Sequence, residues 1–294
     1  MGEARRADDA LKDRLLVSFL GIPGLLLVIW LGGIAYAVLI FGIVLIGLRE
    51  YLRLLEADRL APRQWPLYFA AVVLLGTAGQ EAGLWNLPLV PDFAQGFLVV
   101  SVLLLMVLQS WEVMTASPRS WLNLSAHMAG FVWIAGFGST FILLREMIWP
   151  AALASGIDAG FRITLALFVT VWLCDTMAYV MGKRFGHTKI IPEVSPKKTV
   201  LGTVAGLVTA IVVMQFFGLA DWLPGLRFMD LLVLGIIVGD FGQLGDFVES
   251  RLKRDFGVKD SGALLPGHGG VLDRFDSLLF VMPLSYLYIS YIVR

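Results

Sequence analysis

The chain has 294 residues, 58% of them hydrophobic and 16% charged, with 23 basic and 23 acidic residues and a mean hydropathy of +0.79. A soluble domain carries about a quarter charged residues, so this composition excludes a water-soluble globular protein. The net charge of zero says nothing about polyanionic partners. The apolar residues come in long continuous runs, not in alternation, which excludes a transmembrane barrel and predicts an all-α, polytopic integral membrane protein. A single cysteine, Cys174, permits no intrachain disulfide and reads as a small packing residue.

The opening MGEARRADDALKDR mixes both charge signs and reads as a short surface segment. It has no Ser or Thr at the position a myristoylation motif needs. The apolar run after it lacks a small-residue cleavage site and continues into a second run, so it is a first membrane helix and not a cleaved signal. In chain order the expected spans are about nine: 15–31, 33–48, 66–80, 95–110, 121–144, 160–181, 199–218, 229–248 and 271–293. Pro23 and Gly24 are placed to kink the first. Trp85, Trp149 and Trp222 fall near one boundary, where aromatic belts form.

Lys and Arg set the orientation. With a cytoplasmic N-terminus, the inside collects Arg5, Arg6, Lys12 and Arg14, then Arg49, Arg53, Arg59 and Arg63, then Arg119. It also collects Lys183, Arg184, Lys189, Lys197 and Lys198, and finally Arg251, Lys253, Arg254 and Lys259. The outside holds Arg145, Arg162, Arg227 and Arg294. Eighteen against four decides for a cytoplasmic N-terminus.

Five acids fall within or at the ends of these spans. Asp175 is about six residues from the cytoplasmic end of its helix, roughly 10 Å deep. Asp240 and Asp246 lie in GIIVGDFGQLGDFVES, where steps of three carry Asp240, Gln243, Asp246 and Glu249 along one drifting stripe. Asp273 and Asp276 open the last span on a shared face. A carboxylate in lipid is costly and faces an internal polar site. The competing reading, structural pairing or snorkelling, suits one acid better than five on three helices near one membrane face. Asp240, the deepest, is the weakest candidate.

The cations lie in two loops. In 182–198, GKRFGHTKIIPEVSPKK, the SPKKT stretch places Lys197 and Lys198 at the start of a helix that Ser195 or Thr199 caps, an arrangement suited to phosphates. Attraction to anionic lipid heads is the alternative. The second loop lies in 250–276, SRLKRDFGVKDSGALLPGHGGVLDRFD, with Lys253, Arg254 and Lys259. In its PGHGG turn, Gly269 and Gly270 allow close approach of a phosphate to backbone amides. It is not a Walker A loop. His268 reads either as a locally satisfied turn residue or as part of the site; His127 and His187 read as structural.

Carboxylates from several helices beside Lys, Arg and glycine-rich helix starts are the equipment of phosphoryl or nucleotidyl transfer. At a membrane face this implies one soluble phosphate substrate and one lipid substrate.

The 250–276 stretch resembles the signature of the phosphatidate cytidylyltransferases (CDP-diacylglycerol synthases) without departure. The match runs through Ser250, Lys253, Arg254, Lys259, Gly262, Pro266, His268, Gly269, Gly270, Asp273, Arg274 and Asp276. A looser block is similar to the same family: Asp175, Ala178, Tyr179, Gly182, Lys183, Gly186, Ser195-Pro196-Lys197-Lys198-Thr199 and Gly202. The N-terminal half resembles it only in hydrophobic organisation.

The resemblance implies that CTP and phosphatidic acid give CDP-diacylglycerol and pyrophosphate. It implies a Mg²⁺ held by Asp246 and Asp273, a second metal ion beside it, and a homodimer among membrane lipids, with no nucleic-acid partner. The expected catalytic residues are Asp246, Asp273, Asp276, Asp175, Lys259 and His268. Ser195, Lys197, Lys198, Thr199, Lys253, Arg254, Gly269, Gly270 and Arg274 are expected to bind substrate. Residues 1–150 form the N-terminal spans, and 151–294 the catalytic region with loops 182–198 and 249–270. A bacterial plasma (inner) membrane is expected, with the active site facing the cytoplasm. Two rivals remain: a lipid or polyprenol kinase, which would release a nucleoside diphosphate, and an ion-coupled transporter, for which no inverted repeat is seen. A variant acting on an ether-linked lipid shares the chemistry.

Overall fold

Long apolar runs broken by Gly, Pro and charged connections fold as helices, because a helix satisfies its own backbone where no water can. In the computed structural model, residues 19–57, 63–86, 92–116, 119–148, 158–262, 264 and 269–293 are described. Among them are nine helices and no strand. They are α1 (Phe19–Leu31), α2 (Gly33–Ala57), α3 (Gln64–Glu81), α4 (Phe93–Thr115) and α5 (Ser120–Arg145). There follow α6 (Ala159–Phe185), α7 (Val200–Leu219), α8 (Phe228–Asp255) and α9 (Leu272–Val293). The N-terminal surface segment, Arg59 and Trp149 lie outside the described residues.

The protein is a polytopic membrane protein: seven of these helices are long and apolar enough to cross a bilayer. The nine expected crossings are therefore met by seven on length and composition. The described part of α1 is too short for the criterion, and α3 loses apolar character to its polar ends, Gln64, Gln80 and Glu81. The outer surface is apolar where lipid requires it. On α7, Val204, Val208, Val212 and Phe216 recur every four residues and are all exposed. On α5 most of the apolar window is buried, 72% against 17% on α4.

Side chains cap the starts of several helices. Asp92 accepts from Gln95 N–H at 2.8 Å to open α4, and Asp158 from Phe161 N–H at 2.8 Å to open α6. Lys183 and Arg184 sit in the last turn of α6, where cations complement the helix dipole. Within α5 and α8 the hydrogen bonding widens to π-helix at Phe131–Gly136 and Ile237–Gly242.

The chain divides into two compact units, Met1–Ile142 with Phe256–Arg274, and Leu143–Asp255 with Phe275–Arg294. The first unit packs α2, α3, α4 and the start of α5 around Tyr36, Leu48, Leu67, Leu74, Leu108 and Phe131, all essentially inaccessible. Tyr51 donates to Ala126 O at 2.9 Å. His127 has the structural role expected of it, with Nδ1 2.6 Å from Asn123 O and Nε2 accepting from Arg63 N–H at 2.7 Å.

In the second unit α6, α7 and α8 pack together. A methyl group at Gly202 would stand 2.6 Å from Ala178 O and 3.1 Å from Gly182 Cα. The glycines of the 175–202 block thus let α6 and α7 approach backbone to backbone, as small residues do in membrane bundles. Gln243, from the α8 stripe, donates to Thr203 O at 3.1 Å and Gly239 O at 2.6 Å, tying α8 to α7. Trp222 packs on Phe161 and Phe217 beneath Arg162, which binds it into the fold.

Candidate active site

The SPKKT loop folds back on itself before α7. Val200 N–H donates to Thr188 O at 3.0 Å, and Lys189 and Thr199 form a short antiparallel bridge. Ser195 O accepts from Lys198 N–H at 3.3 Å, which closes a turn at 195–198. Thr199, not Ser195, is the cap: its Oγ1 accepts from Gly202 N–H at 3.1 Å. Lys198 is thereby held one residue before the cap, at the end of α7 where unpaired amides favour anions.

Lys198 Nζ lies 2.6 Å from Asp246 Oδ2 and 4.2 Å from the centre of the Phe247 ring. Ser250 Oγ donates to Asp246 Oδ1 at 3.1 Å. Asp175 is in electrostatic reach of Asp246 and Lys198. Asp276 reaches Asp246 and Asp175 in the same way, lies near Glu249, and accepts from Ser277 N–H at 2.6 Å. The second unit therefore gathers Asp175, Lys198, Asp246 and Asp276. The pair Lys198–Asp246 is partly open, 24% and 33% exposed, so a substrate anion can compete for the ammonium.

One expected substrate-binding cation is placed differently. Lys253 is buried in an ion pair with the fully buried Glu249 at 2.9 Å. Lys197 and Arg254 are exposed. Asp240 lies in the π-helical turn of α8 on an exposed face.

The first unit carries the other half of the motif. Asp273, in the first turn of α9, accepts at Oδ2 from Ser261 N–H (2.9 Å), Ser261 Oγ (2.9 Å) and Gly270 N–H (2.7 Å). Gly269 has φ +81°, a left-handed conformation that glycine adopts without strain. Gly270 is buried, and Arg274 and Lys259 are exposed. His268 lies outside the described residues, as do Pro266 and Gly267.

One acid escaped the motif: Glu50 of α2, only 3% exposed, which accepts from the amides of Val271 and Leu272. Its local sequence, Arg49-Glu50-Tyr51, looks like any cytoplasmic helix end. The one available signal was a lone carboxylate in an otherwise apolar helical face.

Among the described residues no three His, Cys, Asp or Glu side chains form a metal cage. Such a set would not suit Mg²⁺, which binds through one or two carboxylates and completes its shell with water and phosphate oxygens. Asp246 offers a hard carboxylate oxygen of that kind in the second unit, and Asp273 offers one in the first.

The cytidylyltransferase family model matches residues 12–292. The chain belongs to that family. Phosphatidate cytidylyltransferases of Staphylococcus saprophyticus and Staphylococcus haemolyticus are each 35% identical to it over 283 residues, 93% of this chain and 97% of theirs. That of Bacillus subtilis is 51% identical over 122 residues, 42% of this chain and 45% of its own. As a cytidylyltransferase family member the chain is an enzyme, and the matched residues span both the SPKKT block and the SRLKR…DRFD stretch.

Proposed function

We propose that this enzyme transfers the cytidylyl group of CTP to phosphatidic acid, giving CDP-diacylglycerol and pyrophosphate, at the cytoplasmic face of a bacterial plasma membrane. The observation that carries this reading is the end-to-end likeness to relatives named phosphatidate cytidylyltransferase. The pairing of Lys198, beside the start of α7, with Asp246 of α8 supports it.

A phosphate oxygen of phosphatidic acid forms a bond to the α-phosphorus of CTP, and the bond from that phosphorus to pyrophosphate breaks. The attacking oxygen is already ionised at neutral pH, so the protein positions and neutralises and need not abstract a proton. Lys198 leaves Asp246 for the triphosphate, with Lys197, Lys259 and Arg274 adding positive charge. The cap at Thr199 and the glycine turn at Gly269 and Gly270 fix where the phosphates rest. Asp246 and Asp273 are the residues that would hold Mg²⁺, with Asp175 and Asp276 supporting them. When bound, the ion supplies charge neutralisation between phosphates. The same family likeness supports a second metal ion and a homodimer. Acyl chains stay in lipid, so only the headgroup enters.

The lipid-kinase alternative differs in its product. With CTP labelled at the γ-phosphate, all label should leave as pyrophosphate; label in the lipid with CDP released would establish the kinase. Orientation is tested on the 186–199 loop. In a Cys174→Ala background, Cys placed at the exposed Glu193 should resist an impermeant maleimide in intact cells and react once they are opened. Reaction in intact cells would reverse the topology.

A further inference from the structure

Two features of the signature turn need explaining. Leu272 begins α9, and the residue before it is Val271, which has no side-chain acceptor to cap a helix. The first amides of a helix have no partner inside it. Here the partner comes from α2. Val271 N–H donates to Glu50 Oε1 at 3.0 Å and Leu272 N–H to Glu50 Oε2 at 2.9 Å. The two oxygens of one buried carboxylate thus close two amides of a helix more than 200 residues further along the chain.

The second feature is the hydroxyl of Ser261. It lies 3.3 Å from Glu50 Oε2 and 2.9 Å from Asp273 Oδ2, so its single proton is divided between the two carboxylates. Gly262 and Gly270 make room for this arrangement. A Cβ on either would collide with the Glu50 carboxylate. The glycines of the signature therefore leave a space shaped for Glu50, as well as turning the chain.

We propose that Glu50 is a positioning residue for the reaction: it caps α9 from α2 and, through Ser261, fixes the direction in which Asp273 presents its carboxylate. The proposal rests on the role given to Asp273 above. It extends the catalytic apparatus into the N-terminal half, where the sequence shows no motif. Glu50 touches no substrate. Its effect is that of groups that orient ligands, whose loss typically costs 10–100-fold in activity or metal affinity.

The test compares the full-length protein with Glu50→Gln. A glutamine can accept from one of the two amides and presents an NH₂ to the other. Hydrogen exchange read on peptides covering 259–275 should quicken about tenfold or more, the scale of losing a charge-assisted bond. Peptides of α7 should be unchanged. Turnover at saturating CTP should fall about 10–100-fold, with KM for CTP within about threefold. Gly262→Ala, which displaces the carboxylate without removing it, should show the same pattern at smaller size and serves if Glu50→Gln does not fold. Unchanged exchange at 259–275, or loosened amides with wild-type turnover, would overturn the proposal. A KM that rises along with general loosening would reduce Glu50 to a packing role and overturn it too. Exchange reads the cap without turnover, so a wild-type protein that makes no CDP-lipid while Glu50→Gln loosens the turn would overturn the proposed function and leave the cap standing.

Discussion

Asp246→Asn should lower turnover on the order of a thousandfold and leave the protein folded. The carboxylate is placed between Lys198, 2.6 Å away, and Ser250. In the proposed reaction it carries the charge that holds Mg²⁺ and that returns Lys198 to rest. Asparagine keeps the shape and an oxygen for Ser250 but loses the charge, and loss of one preorganised electrostatic contact typically costs 10²–10³. Stability should change little, because a pair this exposed is worth about 0–1 kcal/mol. The check is kcat at saturating CTP and phosphatidic acid beside thermal unfolding in the same detergent. Wild-type turnover from the variant would remove Asp246 from the metal assignment.

The second large effect is at Asp273, where two substitutions should part company. Its Oδ2 accepts three hydrogen bonds, two from Ser261 and one from Gly270. Asp273→Ala strands these donors, at a cost of about 1–3 kcal/mol for each one left unsatisfied. It should lower the melting temperature, and limited proteolysis between α8 and α9 should speed up. Asp273→Asn can keep an oxygen in the accepting position, so melting and proteolysis should stay close to wild type. Both variants should lose turnover by at least about a hundredfold. An Asn variant that is both folded and active would make Asp273 a staple of the turn and nothing more.

How far the sequence could be read depends on the range of each interaction. Local rules found the helices, because apolar length and flanking charge are properties of adjacent residues. They found the loop before α7 as well, though Ser195 and Thr199 were equivalent candidates until Gly202 N–H was seen to point at Thr199. The stripe on α8 was a partial success. Asp246 faces Lys198, but Gln243 is spent on backbone carbonyls and Glu249 on Lys253. Spacing cannot distinguish these roles, since all four positions share one drifting face and the π-helical turn at Ile237–Gly242 shifts it. Lys253 illustrates the same limit: a basic residue of the 250–276 signature, expected to bind substrate, that is committed to an internal pair. Glu50 was invisible for another reason. Its partners are 211 to 222 residues away, and no periodicity or local motif encodes a contact over that distance.

The central claim is that a cytidylyl group moves onto a phospholipid. It is tested most directly with purified protein in detergent, given phosphatidic acid, Mg²⁺ and CTP labelled in the base. The account predicts label in the lipid phase, one pyrophosphate released per label transferred, and neither with EDTA or in Asp246→Asn. Folded wild-type protein that leaves the label in water while lipid gains the γ-phosphate would contradict it, and so would protein that produces neither signal.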